Sequence, residues 1–148
     1  MPQPIQSESE FWEGTDPGFL CAMVVGADFS QILQADIVGN ISVRVWDLSR
    51  DKSLVETPIY EATAIVPTLN DVWFDTVQVG GPWTLNNEGY NFRHYLKASD
   101  VFSLVPVEGG HVYRVEYEIP TDPRDGGAGN WGPLTVVDRM TCRPRMAL

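Results

Sequence analysis

The stretch "GGHVYRVEYEI" at 109–119 alternates without a slip: Tyr113, Val115, Tyr117 and Ile119 face one way, and Val112, Arg114, Glu116 and Glu118 the other. A period of two is the mark of a strand with one buried face. It recurs along the chain. In "ISVRVW" (41–46) Ile41, Val43 and Val45 oppose Ser42, Arg44 and Trp46. In "GYNFRHYL" (89–96) Tyr90, Phe92, His94 and Leu96 oppose Asn91, Arg93 and Tyr95. "FLCAMVV" (19–25) is a continuous apolar run of strand length. "IYEATAIV" stops at Pro67, "DVWFDTVQV" (71–79) stops at Gly80–Gly81–Pro82, and "LTVVD" (134–138) closes the series. No stretch carries an amphipathic helix of useful length. "KASDVF" supports a single helical turn, with Ser99 as its cap.

About seven short strands separated by turn signals predict an all-β fold. The expected architecture is an Ig-like antiparallel β-sandwich, with a jelly roll or small barrel as the other ways to close such strands. At 148 residues the chain has the length of one domain and buries enough surface for a core without staples. Phe92, Val115 and Tyr117 are expected in that core. Residues 1–18 show no period and read as an extended N-terminal arm. The sandwich is assigned to 19–138, and "RMTCRPRMAL" (139–148) reads as an arginine-rich tail. The apolar pair Phe11–Trp12 in the polar arm is expected to pack on a neighbouring chain, so removing residues 1–14 should leave the domain's melt nearly unchanged.

A formal net charge of -10 argues against nucleic-acid binding, which needs clustered Lys and Arg. No segment approaches the ~20 apolar residues of a membrane helix. The first residues lack the basic and apolar regions of a signal peptide, so synthesis in a cytoplasm is expected. The two cysteines, Cys21 and Cys142, then read as thiols rather than a disulfide.

Few residues suggest chemistry. Cys21, His94, His111 and Cys142 have the composition of a zinc set, but no two of them are closer than the seventeen residues between the histidines. Structural zinc sites take ligands in close sequence pairs. The expectation is therefore no metal and no cofactor. His94 is expected half-buried at a strand end on a backbone carbonyl, and His111 at a rim. Asp71 and Asp75 on one strand would stand ~13 Å apart, too far for a glycosidase pair. "TDPRDGGAGN" has the composition of a calcium loop without its spacing. No nucleophile motif is present, so no catalytic residue is assigned and no enzyme is expected.

Five tryptophans exceed what a core of this size normally takes. Exposed aromatic rings anchor protein interfaces or stack on sugars. Phe11, Trp12, Trp46, Trp83 and Trp131 are the interface candidates.

The layout of 83–119, a turn, "GYNFRH", a short "ASDVF" turn and then "GGHVYRVEY", resembles the back half of small Ig-like domains in virion proteins of tailed bacteriophages. The front half, around "ISVRVWDL", is similar more loosely, and the resemblance spans about 19–138. It implies a non-enzymatic structural protein of the virion, a decoration, neck or tail accessory subunit. Such a subunit is made in the host cytoplasm and acts by assembly with other virion proteins and with copies of itself. It implies no catalytic residues. The alternative is a carbohydrate-binding module that stacks glycan on exposed tryptophans.

Overall fold

The computed structural model describes residues 5–24, 32–65, 69–79, 89–121 and 134–145. Eight strands run through them: β1 (Ile5–Trp12), β2 (Gly18–Ala22), β3 (Ser42–Asp47), β4 (Tyr60–Ala62), β5 (Trp73–Gln78), β6 (Tyr90–Leu96), β7 (Val112–Ile119) and β8 (Leu134–Arg143). Two one-turn helices, α1 (Leu69–Val72) and α2 (Ala98–Val101), complete the regular structure with a 3-10 turn at Gln34–Asp36. The chain is all-β, in two sheets. The larger has the order β1-β8-β7-β3-β4 and the smaller β2-β6-β5.

The period of two decides which side chains enter the core. Tyr113, Val115, Tyr117 and Ile119 of β7 are fully buried, as are Val43 and Val45 of β3 and Phe92 of β6. The sheets meet through rings: Phe92 lies edge-on to Tyr117 with centroids 5.1 Å apart, and Trp73 leans on Phe92 at 5.8 Å. The Trp73 indole N–H donates to the Ile32 carbonyl at 2.9 Å, so the largest core ring leaves no polar atom unpaired. Buried Asn91 bonds the backbone of Val24 twice, as acceptor at 2.8 Å and as donor at 2.9 Å. Its amide thus continues the strand-like pairing beyond the end of β2.

The N-terminal segment departs from expectation. Residues 5–12 do not extend away as an arm; they form β1, paired parallel with β8 along its whole length. This also breaks the wholly antiparallel pattern. Phe11 turns inward, 5% exposed, and stacks on Phe102 at 6.0 Å. The Ser9 hydroxyl donates to the buried Asp138 carboxylate at 2.6 Å. The segment looked solvated because Glu8, Glu10 and Trp12 lie on its outer side, and Ser9 is polar but serves the interior. The boundary at 138 is corrected for the same reason. β8 continues to Arg143, with Met140 and Cys142 buried and Arg139 and Arg143 on the exposed face.

Two local expectations also change, and the two histidine-bearing strands, β6 and β7, lie in different sheets. Both edges of β7 are occupied by β3 and β8, and both edges of β6 by β2 and β5, so the pair meets face to face across the core. Ser99 does not cap α2. The Ala98 N–H donates to Asp16 at 2.8 Å, a carboxylate delivered from the β1–β2 turn. Asp71 belongs to α1 and Asp75 to β5, where Asp75 accepts from the Gln34 N–H at 2.7 Å.

Phe92→Ala should destabilise the fold by roughly 3–5 kcal/mol, as truncation of a fully buried aromatic does. Deleting residues 1–12 should lower the melting temperature, because it removes Phe11 and uncovers Asp138. Urea titration and thermal circular dichroism read both; an unchanged melt after the deletion would exclude β1 from the cooperative unit.

Candidate interaction face

Each inward residue of a strand forces its neighbours outward. On the larger sheet the outward set is Glu8, Glu10 and Trp12 on β1, Thr135, Val137, Arg139, Thr141 and Arg143 on β8, Val112, Arg114, Glu116 and Glu118 on β7, Ser42, Arg44 and Trp46 on β3, and Glu61 on β4. Two of the interface candidates therefore share one face. Trp12 is 55% exposed, with the Arg143 guanidinium 6.0 Å from its ring centre. Trp46 is half-buried under Arg114 at 5.3 Å. A guanidinium over an indole ring gives the kind of amphipathic contact that interfaces favour.

Ion pairs organise part of this face. Arg143 grips Glu10 with both Nε (2.8 Å) and Nη2 (2.9 Å), which holds the Glu10 carboxyl below its ordinary range. Arg114 donates to Glu116 at 2.7 Å. One row is less settled: Trp46 pairs with Arg114, Arg114 with Arg139, and Arg139 with Glu8. Two arginines thus stand directly opposite, an arrangement that costs stability by itself. A cleft of about 320 Å³ opens beside Arg139, lined by Glu8, Ser9, Glu10 and Thr141.

Phe11 is not part of any exposed surface, because it fills the core. Trp83 and Trp131 lie outside the described residues, as does the glycine-rich loop after Thr121. The smaller sheet has an outer aromatic patch that the sequence reading missed. Phe19 and Tyr95 meet edge to face at 5.0 Å, and Arg93 lies over Phe19 at 5.2 Å and over Phe74 at 5.1 Å. Arg93 and Tyr95 were legible as outward residues of β6, but the partner strands were not.

The histidines and cysteines do not converge. Among the described residues no group of three or more His, Cys, Asp or Glu side chains is placed to hold a metal ion. Cys21 and Cys142 are free thiols on different sheets. His94 is buried, not half-buried, and its Nδ1 lies 2.7 Å from the Tyr117 hydroxyl instead of a backbone carbonyl. Burial holds the Tyr117 hydroxyl well above the usual tyrosine range. His111 lies between two carboxylates, with Nδ1 2.8 Å from the buried Asp47 and Nε2 2.9 Å from Glu108. A neutral ring donates to one of them; an imidazolium donates to both. Asp47 also accepts from the Ser49 N–H at 2.9 Å, so this cluster clamps the turn after β3 to the turn before β7.

Compared with protein-family models, with curated proteins and with solved structures, the chain matches none of them.

Two measurements probe these environments. Burial pushes the Cys21 thiol up to about 11 against the opposing pull of Arg93. Its alkylation by iodoacetamide near neutral pH should run roughly a hundredfold slower than that of a free cysteine. The Asp16 carboxyl is held below its ordinary value, first by the Ala98 N–H and then by the Tyr95 hydroxyl. A lowered folded-state value means that this cap is present above the ordinary aspartate range and is lost as pH falls through the folded-state value. The Ala98 amide resonance should therefore titrate with an inflection below that of free aspartate. An inflection at the ordinary aspartate value would remove the cap.

Proposed function

We propose that the chain is an immunoglobulin-like, non-enzymatic structural subunit that works by protein–protein assembly, of the kind found among virion accessory proteins of tailed bacteriophages. The strand order supports the fold. A five-stranded sheet ordered β1-β8-β7-β3-β4 over a three-stranded sheet β2-β6-β5 has the fifth-to-seventh-strand connectivity of that class, with the first strand moved onto the last. Tyr113 near the start of β7 accepts from the Glu108 N–H at 3.1 Å, five residues upstream, which matches the tyrosine corner of such domains. Val115 stands two residues on, where antibody domains carry a cysteine, and Trp46 of β3 points outward. The reading is thus the general sandwich and not an antibody domain.

The observation that carries the function is the outer face of the larger sheet. It presents Trp12 and Trp46 under arginines, the residue types that anchor interfaces. At Trp46, half-buried with Arg114 over its ring, this weakens the sugar-binding reading, since a pyranose needs a bare ring face. Catalysis has little support in the polar interior: the ring nitrogens of His111 meet carboxylates, and burial keeps the hydroxyl beside His94 protonated well above the usual tyrosine range. The partners of this reading are other virion proteins and further copies of the chain, and its location is the virion.

Mass spectrometry of gradient-purified particles from the phage that encodes the chain should find it in multiple copies per virion. Absence from particles, together with retention on a glycan array that is lost in Trp46→Ala, would replace this reading with the carbohydrate-binding one.

A further inference from the structure

We propose that the cavity between the inner face of β4 and the corner of β6 and α2 binds a small organic ammonium ion with an apolar body. The site goes beyond the assembly role proposed above and stands or falls apart from it. Its walls are Tyr60 and Ile65 on one side and His94, Leu96, Asp100 and Val101 on the other. The cavity exists because β4 is the edge of the larger sheet, three residues long and paired on one side only. Val45 is fully buried, yet Tyr60, its register partner on β4 and turned to the same face, is only half-buried. The inner face of the sandwich therefore opens here. The volume is about 370 Å³, at the small end of ligand sites (~300–1,000 Å³). At ~30 Å³ for each water-sized position, it suits one molecule of about a dozen non-hydrogen atoms.

The lining selects the class of ligand. Leu96 and Val101 are buried and Ile65 is half-buried, so the interior takes an apolar body. His94 borders the cavity from within the core: it is 7% exposed, and its Nδ1 meets the Tyr117 hydroxyl at 2.7 Å. Asp100 is exposed and supplies a negative charge. Among the described residues no ion pair or side-chain hydrogen bond engages its carboxylate. Burial first, and the Asp100 charge second, hold the Tyr60 hydroxyl above the usual tyrosine range. The field of the carboxylate thus reaches the ring on the opposite wall.

An aromatic ring and an uncommitted carboxylate beside one apolar space are the elements that recognise an ammonium ion. Lys97 also borders the cavity, but its charge acts on Asp16, whose carboxyl it helps to hold low. Asp16 in turn accepts from the Ala98 N–H at 2.8 Å, which ties α2, and Asp100 with it, to the β1–β2 turn. The net charge of -10 draws cations towards the molecule and turns anions away.

An NMR titration of the full chain with phenethylammonium tests this. The amide resonances of Tyr60, Ile65, Leu96 and Val101 should shift and saturate, with a Kd of roughly 1 mM for a ligand of this size. Phenylacetate, similar in shape and opposite in charge, should bind roughly tenfold more weakly or worse. Asp100→Asn should weaken phenethylammonium roughly tenfold. Glu118→Gln removes the same charge from the outer face of the larger sheet and should have no effect. Ile65→Trp should abolish binding by filling the cavity. Circular dichroism checks that each variant is folded; Asp100 is exposed, so its variant keeps the test in force if Ile65→Trp does not fold. Absence of a saturable shift at these residues overturns the proposal. So does equal binding of phenylacetate, indifference to Asp100→Asn, equal weakening by Glu118→Gln, or binding that survives a folded Ile65→Trp. A chain found in virions that binds no ammonium ion loses this site and keeps its assembly role.

Discussion

Tyr117 is where the two sheets hold each other. Its ring lies against Phe92 at 5.1 Å and against the His94 ring at 5.4 Å, and its hydroxyl meets His94 Nδ1 at 2.7 Å. A hydroxyl and an imidazole in an apolar interior are expensive unless they satisfy each other. Their contact fixes the height of β7 over β6 to within a fraction of a residue. Apolar packing alone tolerates sliding; a directional bond between two buried polar groups does not. Everything outward on β7, Arg114 and Glu118 included, is positioned by what Tyr117 does inward.

The ends of the molecule are closed by a different means. Asp138, Asp47 and Asp16 are carboxylates that accept from Ser9, from the Ser49 N–H and from the Ala98 N–H respectively. Each joins segments that packing would leave loosely attached: β1 to β8, the turn after β3 to itself and to His111, and α2 to the β1–β2 turn. Gly109 belongs to this scheme. A side chain there would collide with Pro144, and its N–H donates to Glu13 at 2.5 Å. The acidity of the chain is thus partly structural, and the remainder is spread over the surface, leaving the outer face of the larger sheet near neutrality.

The alternating strands were legible because period two is a local property. Tyr113, Val115, Tyr117 and Ile119 needed no partner strand to be assigned inward, and Tyr90, Phe92, His94 and Leu96 were equally plain. β1 was not legible. Its parallel partner lies at the far end of the chain, and its inward residues are a serine and a phenylalanine among glutamates. A strand that buries a polar residue against a carboxylate looks, in one dimension, like a solvated arm. The arginines of β8 misled in the same way, because Arg139 and Arg143 are the outer half of a strand whose inner half is Met140 and Cys142. Trp12 and Trp46 were recognised as surplus to the core, but nothing local could put them on one face with Arg114 and Arg139.

The sequence by itself determined the strand class, the inward face of each alternating strand and the all-β fold, because these follow from the spacing of apolar side chains along one chain segment. Only the tertiary structure decided which strands are neighbours, that β1 completes the larger sheet, that the two histidines serve separate polar contacts, and that arginine and tryptophan share an outer face. Those outcomes depend on contacts between segments distant in the chain, from His94 with Tyr117 to Ser9 with Asp138. Backbone hydrogen bonds hold strands together without regard to side-chain identity. Register is selected by the sum of the packing on both faces, and no short window of sequence contains that sum.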